Sequence, residues 1–241
     1  FVVPLPYYIE VPGGAEDIRR VLKVNETEDT EAGAYQFVTV GIRHATLSHL
    51  VYAWLTPFTD IRSAKETTGG STDAEFMRIN QFYMQTSQNM AKYQGLKTAG
   101  KDIELKYLGV YVLTVTDNST FKGILNIADT VTAVNDKTFD SSKDLVDYVN
   151  SQQLGDTVKV TYEEDGKVKS AEGKIITLEN GKNGIGIGLI DRTEVTSDVP
   201  IRFSTAGIGG PSAGLMFSLA IYTQIADPGL RNGRIVAGTG T

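Results

Sequence analysis

Residues 158–176 read VKVTYEEDGKVKSAEGKII, two β-rich runs joined by a short polar segment. The joining residues end in Asp165-Gly166, a pair that typically closes a β-hairpin. This stretch therefore predicts a hairpin of two antiparallel strands, Val158–Tyr162 and Val168–Ile176. Further β-rich runs precede it at Val110–Val115 and Thr130–Val134.

A helix is predicted between these strands. Ser141 or Ser142 is a suitable N-cap, and Leu145, Tyr148 and Val149 follow it with helical spacing. Strands and helix together span residues 102–178, and roughly 75 residues are enough for a self-contained unit.

The composition of the chain excludes several function classes. Of 241 residues, 41% are apolar and 22% charged, which is typical of a folded soluble domain. A net charge of -6 gives no general attraction to nucleic acid, so no nucleic-acid partner is expected. The chain has no cysteine, and its two histidines, His44 and His49, lie about 140° apart on a helix. We therefore expect no metal site and no cofactor.

Two flanking segments have helical periodicity. The first, Thr46–Leu55, is predicted to be a short amphipathic helix that ends before Pro57. The second follows Gly69-Gly70, where Thr72 and Glu75 have capping-box spacing, and it closes at Gly100. Its stripe of Phe76, Ile79, Tyr83 and Met90 is interpreted as core.

The β-rich unit resembles a PDZ domain of the type associated with bacterial proteases. The resemblance lies in YLGV at 107–110, FKGILNIADTV at 121–131, NDK at 135–137 and the helix at 142–149. Ala128 departs from the pattern, because such domains usually carry glycine before the aspartate. The resemblance implies that an extended peptide adds as a strand beside the helix.

By this resemblance the turn at Tyr107–Gly109 would receive a carboxylate or a peptide carbonyl, and Val110–Leu113 would pair with the ligand. Three residues of the helix would line the pocket. The alternative is that these side chains are simply core residues of a small β domain. The predicted peptide-binding residues are Tyr107, Leu108, Gly109, Val110, Tyr111, Leu113, Leu145, Tyr148 and Val149.

Two glycine-rich stretches follow. GIGIGL at 184–189 alternates as a strand would, but it completes neither a dinucleotide-binding nor a P-loop motif. AGIGGPSAGLM at 206–216 leads into an apolar run, which predicts a helix with Pro211 and Ser212 as its first residues. A serine there would have unpaired backbone N–H groups beside it, which suit an anionic tetrahedral intermediate.

Ser212 also fits the G-x-S-x-G elbow of α/β-hydrolases, but no histidine follows His49 to complete that triad. A triad in another chain order, with His44 or His49, stays open, and so does a serine that merely caps a helix. A lysine of lowered pKa is a further possible base.

GPSAGL at 210–215, with VAGTG at 236–240 after the helix, resembles the proteolytic domain of Lon-type proteases. With PLPYYIEVPG at 4–13 and the PDZ-like unit, the chain is similar throughout to membrane-anchored, PDZ-containing Lon-like serine proteases of Gram-positive bacteria, the pheromone-processing type. The resemblance implies an α+β fold in which 1–101 and 179–241 form one protease domain around a PDZ domain at 102–178.

The same resemblance assigns Ser212 as nucleophile, the Ser212 and Ala213 N–H groups as oxyanion donors, and Thr239 as a neighbour of the general base. That base, a lysine, would follow Thr241, so we expect the chain as given to be nearly inactive. ATP-dependent Lon proteases carry an acidic residue where Gly209 stands.

The resemblance further implies ATP-independent cleavage of secreted, pheromone-like peptides outside the cell. The apolar start at Phe1 fits a processed segment or a membrane anchor upstream, although a buried first strand explains it equally well. The alternative function is a non-catalytic peptide-binding or scaffold protein. The sequence does not indicate an oligomeric state.

Overall fold

The computed structural model describes residues 3–240. Phe1 and Val2, which belong to the apolar start, and Thr241 lie outside the described residues. Within that range the chain is a mixed α+β protein. Its strands are β1 (Tyr7–Asp17), β2 (Leu22–Val24), β3 (Ala34–His44), β4 (Asp60–Ser63), β5 (Glu104–Val115), β6 (Thr130–Val134), β7 (Thr157–Glu164), β8 (Lys167–Lys174), β9 (Ile176–Thr177), β10 (Asn183–Gly184), β11 (Ile187–Thr196), β12 (Ile201–Phe203) and β13 (Ile235–Gly238).

The helices connect and cover these strands. Their bounds are α1 (Leu47–Leu55), α2 (Ala64–Thr68), α3 (Asp73–Thr98), α4 (Ser142–Asn150) and α5 (Gly214–Ala226), with a short 3₁₀ helix at Ile18–Arg20. Among the helices between residues 3 and 240, none combines the length and the apolar composition needed to cross a membrane.

Two larger sheets organise the strands. One has the order β13-β3-β1-β4, and the other has the order β11-β5-β6-β7-β8. The predicted hairpin is β7-β8, and Asp165 and Gly166 at its tip have the positive φ angles that a two-residue turn requires. The short pairs β12-β2 and β10-β9 complete the pairing among the described strands.

Two separate hydrophobic cores lie beneath these sheets. The first draws on residues before and after the β-rich unit, and the second lies inside that unit. The first core contains Ile18, Leu22, Val24, Tyr35, Phe37, Met84, Ala91, Leu96, Ala213, Met216, Phe217, Ala220 and Ile221. The second contains Val110, Val112, Phe121, Leu125, Val131, Val134, Leu145, Val149, Val158, Val160, Tyr162, Ile175 and Ile185.

The sheet of the second unit continues past residue 178. Its outermost strand is β11, and Ile187 and Leu189 of that strand pack against the second core. The structure therefore extends the β-rich unit beyond the predicted boundary.

Helix α3 has the predicted capping box at Thr72 and Glu75 but a different buried face. Phe76, Ile79 and Tyr83 are half-buried and Met90 is exposed, so the predicted aromatic core stripe is wrong. The buried residues of α3 are Met84, Ser87, Ala91, Gly95 and Leu96.

Small residues on that face allow α5 to approach closely. A Cβ on Gly95 would lie 2.9 Å from two atoms of Ile221 and 3.0 Å from the carbonyl oxygen of Ser218. Close contact between these two helices joins the parts of the chain on either side of the β-rich unit.

Candidate functional site

Ser212 lies in a turn before α5, not in its first helical turn as the sequence predicts. The helix begins at Gly214, and Ala213 is its N-cap residue. Gly210 has a φ of +88°, which turns the chain just ahead of Pro211 and Ser212. The Ser212 side chain is exposed, so its hydroxyl is accessible from solvent.

The chain after β13 fixes this turn from one side. The Gly240 N–H donates to the Ser212 carbonyl at 2.8 Å, and the Leu215 N–H donates to the Gly240 carbonyl at 3.0 Å. The Thr239 hydroxyl lies 3.4 Å from the same Ser212 carbonyl. The structure thus brings together the three residues of the predicted catalytic set, Ser212, Ala213 and Thr239.

Helix α3 fixes the turn from the other side. The Gly210 N–H donates to the Asn80 carbonyl at 2.8 Å, and the Ser87 hydroxyl donates to the Pro211 carbonyl at 2.8 Å. A Cβ on Gly209 would lie 2.7 Å from the Cβ of Asn80, so an acidic side chain would not fit there. A cleft of about 370 Å³ runs beside this contact, lined by Gln81, Met84, Gln85, Gln88, Thr205, Ala206, Gly207 and Ile208.

The Ser212 hydroxyl and two backbone N–H groups of the turn are available for new hydrogen bonds. Between residues 3 and 240, no partner is present for the Ser212 hydroxyl or for the N–H groups of Ser212 and Ala213. These groups have the chemistry of a nucleophile and of oxyanion donors.

The candidate bases within the described residues are engaged elsewhere. His44 Nε2 lies 2.7 Å from Asp73 Oδ2, and His49 Nδ1 accepts from the Thr46 N–H at 3.2 Å. Burial lowers the pKa of Lys92, but its ammonium lies over the Phe203 ring, 5.6 Å from the ring centroid. In the part of the chain described here, no group of His, Asp or Glu side chains could hold a metal ion.

The predicted ligand strand lies in the middle of its sheet. β5 pairs with β11 along its length and with β6 at Val110 and Tyr111. The Val112 N–H donates to the Asp129 carbonyl at 2.8 Å, and its carbonyl accepts from the Ala128 N–H at 3.0 Å. Val110–Leu113 therefore offers no free edge, and its side chains are buried. The prediction of peptide pairing at this strand is wrong.

The predicted turn at Tyr107–Gly109 does not form either. These residues continue β5, where Tyr107 pairs with Thr193 and Gly109 pairs with Arg192. Leu108 is an extra residue at a β-bulge between those pairs. A carboxylate cannot be received there, because the neighbouring strand β11 occupies that side.

The free edge belongs to β11. The Gly186 carbonyl accepts from the Thr116 N–H at 2.9 Å, so it points toward β5. Backbone polar groups alternate in direction along an antiparallel strand, which turns those of Ile187 and Leu189 outward. The cross-strand partner of Leu189 is Val112, and the N–H and carbonyl of Val112 bond to Asp129 and Ala128 instead of to β11. Within the described part of the chain, Ile187 and Leu189 therefore present unpaired polar groups at the sheet edge.

A cluster of free backbone donors precedes this edge. Among residues 3–240, the N–H groups of Ile185 and Gly186 have no partner, while the Ile185 carbonyl accepts from the Ser119 hydroxyl at 2.5 Å. Gly186 has a φ of +72°, and a Cβ there would lie 2.5 Å from the Thr116 hydroxyl oxygen. Only glycine fits, and successive N–H groups in such a turn suit a carboxylate.

Helix α4 forms the opposite wall. Leu145 and Val149 are buried in the same core as Ile185. The Ser142 N–H at the start of α4 donates to Asp191 Oδ1 of β11 at 3.1 Å. Beyond the other end of the helix, the side chain of Asn183 in β10 donates to the Gln152 carbonyl at 2.7 Å. Strand β11 and α4 thus run antiparallel along a groove that begins at the free donors.

An edge strand beside a helix, with a donor cluster at one end, is the arrangement that accepts an extended peptide as an added strand. Residues 80–175 match the family model described as "PDZ domain". The chain contains a PDZ domain.

Three solved structures are similar to part of the chain. The PDZ domain of an SdrC-like protein from Listeria monocytogenes is 35% identical, with 36% of this chain and 93% of that chain covered and a TM-score of 0.34. The corresponding domain from Listeria innocua is 38% identical, with 34% and 92% covered and a TM-score of 0.33. A solution structure from Geobacillus thermodenitrificans is 32% identical, with 33% and 94% covered and a TM-score of 0.31. No curated protein matches the chain.

Two residues of the predicted PDZ pocket lie outside the groove that the structure forms. The Tyr148 ring packs on Phe139 at a centroid distance of 5.5 Å and under the Lys137 ammonium at 4.9 Å, and its hydroxyl accepts from Asn135. Tyr107 has a buried hydroxyl without a partner in the described range, and burial followed by the charges of Asp191 and Asp144 raises its pKa.

Leu145 and Val149 are core residues at the base of the PDZ groove. The groove residues that sequence reasoning missed are Ile185, Gly186, Ile187 and Leu189, all within the alternating GIGIGL stretch. The signal in the sequence is the alternation of glycines with apolar residues, and this alternation alone predicts a strand without showing that the strand lies at the edge of the sheet.

Proposed function

We propose that the chain binds the C-terminal segment of an extended peptide in the groove between β11 and α4. The observation that carries this proposal is the outward-facing edge at Ile187 and Leu189, which follows the free donors of Ile185 and Gly186. A peptide antiparallel to β11 would place its terminal carboxylate at those donors. The half-buried side chains of Ile187 and Leu189, above Leu145 and Val149, favour an apolar last residue.

A proline in the edge strand tests this assignment. In Leu189→Pro the outward N–H is lost, so we expect peptide affinity to fall about tenfold or more. The probes are fluorescein-labelled octapeptides with a free C-terminus, selected from a random library on the unaltered chain. Fluorescence anisotropy gives the affinity, and circular dichroism checks the fold.

Val168→Pro is the matched control, at the opposite edge of the same sheet. The two-residue turn makes Glu164 and Lys167 the hydrogen-bonded closing pair, so the Val168 N–H points away from β7. This variant should bind peptide normally. Unchanged affinity in a folded Leu189→Pro variant would contradict the proposed groove.

We further propose that the bound peptide is a substrate of a Lon-like serine endopeptidase. Ser212 would attack the peptide carbonyl, the Ser212 and Ala213 N–H groups would bind the oxyanion, and a lysine following Thr241 would accept the proton. The exposed hydroxyl and the neighbouring Thr239 support this assignment. Secreted pheromone-like peptides, an upstream membrane anchor and an outward-facing protease belong to the same proposal.

Cleavage assays separate this proposal from a non-catalytic scaffold. In a protein that carries the expected lysine, Ser212→Ala should abolish peptide cleavage measured by mass spectrometry and leave peptide affinity unchanged. Equal cleavage with and without the Ser212 hydroxyl, or none in either protein, would favour the scaffold. Ser212-dependent cleavage by the 241-residue chain alone would contradict the Ser-Lys assignment.

A further inference from the structure

Helix α1 presents an apolar face to solvent. From Thr46 to Thr59 the sequence contains no Asp, Glu, Lys or Arg. One side of the helix is attached to the protein by half-buried residues, which are His49, Leu50 and Ala53. The other side carries four exposed apolar residues within about 100° of one another around the helix axis. These residues, called here the α1 face, are Leu47, Val51, Trp54 and Leu55.

An exposed aromatic side chain follows the helix. Phe58 is 85% exposed, and its φ is +60°. This backbone conformation is unfavourable for a bulky side chain, and strained residues of this kind cluster at functional positions. The turn after Pro57 therefore holds an apolar ring in solvent although both the exposure and the backbone conformation are unfavourable.

The α1 face is too small to bind a folded protein by itself. A stable interface between two proteins has about 20–30 residues on each side. The α1 face and Phe58 together have five. A lipid bilayer has no such minimum, because each apolar side chain enters it separately.

The first described residues of the chain lie beside α1. The Leu5 N–H donates to the Ala45 carbonyl at 2.9 Å, and Ala45 is two residues before the helix. Val3 is exposed and lies within about 7 Å of Leu5 along the chain. A membrane anchor upstream would therefore bring a bilayer next to this helix.

We propose that the α1 face and Phe58 insert into the surface of a lipid bilayer and hold the chain against it in one orientation. The inference rests on the upstream anchor in the proposed function. Tryptophan and tyrosine favour the boundary between lipid and water, and Trp54 and Tyr52 are both exposed on α1. The segment has no charged side chain that would oppose insertion.

Trp54 reports on this contact directly, because it is the only tryptophan in the chain. The 241-residue chain is tethered through an added N-terminal hexahistidine to phosphatidylcholine vesicles that contain a nickel-chelating lipid, so that the tether replaces the anchor. The emission maximum of Trp54 should move to shorter wavelength. Phosphatidylcholine brominated on its acyl chains should quench the emission at least twofold, since bromine acts only at short range. A tethered chain with neither change would overturn the proposal.

Two acidic substitutions on the α1 face give a matched test. In the combined variant Val51→Asp and Leu55→Asp, quenching by the brominated lipid should fall at least threefold, because carboxylates resist transfer into lipid. The control combines Val168→Asp and Leu154→Asp, the same changes at exposed positions of the PDZ domain, and should be quenched like the unaltered chain. Circular dichroism checks both folds. Equal quenching of the two folded variants would contradict insertion through the α1 face.

Two further measurements separate the alternatives. Without vesicles, a Trp54 shift that grows with protein concentration, together with a dimer in analytical ultracentrifugation, would overturn the proposal and assign the α1 face to contact with a second copy. Fractionation of cells that express a longer protein with its upstream segment tests the anchor. Recovery of that protein in the soluble fraction would contradict the anchor in the proposed function, whereas the tethered chain measures lipid insertion by α1 separately.

Discussion

Ser87 of α3 donates a hydrogen bond of 2.8 Å to the main-chain carbonyl of Pro211, the residue before Ser212. Ser87 is only 7% exposed and Pro211 is half-buried, so the bond is partly shielded from water. The Ser87 hydroxyl thus holds the serine turn against α3.

Ser87→Ala should lower the free energy of unfolding by about 1 kcal/mol, because it leaves a partly shielded carbonyl without its donor. Urea denaturation followed by circular dichroism measures the change. Ser48→Ala, which removes an exposed hydroxyl, is the control and should change stability by less than about 0.5 kcal/mol. Equal effects of the two substitutions would contradict the role assigned to Ser87.

Gly95→Ala should destabilise the chain by about 1–3 kcal/mol, although alanine is the better helix former. The added methyl group would meet Ile221 at 2.9 Å and push α5 away from α3. A second substitution, Ile221→Ala, removes Cγ2, one of the two Ile221 atoms at 2.9 Å, so the loss in the double variant should be smaller than the sum of the two single losses. Additive losses in urea denaturation would show that the two residues do not meet.

Asp29 and Arg231 form an ion pair whose side chains are 5% and 2% exposed. Hydrogen bonding from Arg231 holds the pKa of Asp29 below its usual range. The carboxylate therefore stabilises the fold above its unfolded pKa of about 3.9, and that contribution is lost as the pH falls through the lower folded pKa.

Asp29→Asn should lower the free energy of unfolding at pH 7 by about 3–5 kcal/mol, because the guanidinium loses its buried counter-charge. Denaturation between pH 7 and pH 2 should show this difference narrowing below about pH 4. The exposed Asp117 gives the control variant Asp117→Asn, with a difference near zero. A difference that stays constant with pH would exclude the ionised pair as its cause.

Ala128→Gly should stabilise the PDZ domain by about 0.5–1 kcal/mol. Ala128 has a φ of +86°, a conformation that costs a residue with a Cβ about 1–2 kcal/mol, and the extra chain freedom of glycine offsets part of the gain. Ala133→Gly in β6 is the matched control and should destabilise, since Ala133 is buried in a strand. A urea midpoint for Ala128→Gly below that of the unaltered chain would contradict backbone strain at Ala128.

Local patterns predicted much of the PDZ unit, because alternation and turn chemistry act over a few residues. The hairpin at Asp165-Gly166 and the helix capped by Ser141 follow directly from them. The free edge could not be predicted in this way, because it depends on which strands pair. Val110–Leu113 and Ile187–Ile190 are both short apolar strands, and only the sheet order shows which one lies outside.

The same distinction applies to the flanking helices. Periodicity predicted α1, but Trp54 is 85% exposed and no residue of that helix is buried. Periodicity also predicted α3, yet its buried face carries Ser87, Ala91 and Gly95, since close contact with α5 requires small side chains. Whether an apolar face is covered depends on residues distant in sequence.

Glu104 and Thr196, the first residue of β5 and the last of β11, are cross-strand partners. Their Cα atoms are therefore only about 5 Å apart, although ninety-one residues separate them in the chain. The chain therefore enters the PDZ domain at Glu104 and leaves it at Thr196 at two neighbouring positions. A two-residue turn could join them, so the PDZ domain can be removed or exchanged without rerouting the rest of the chain.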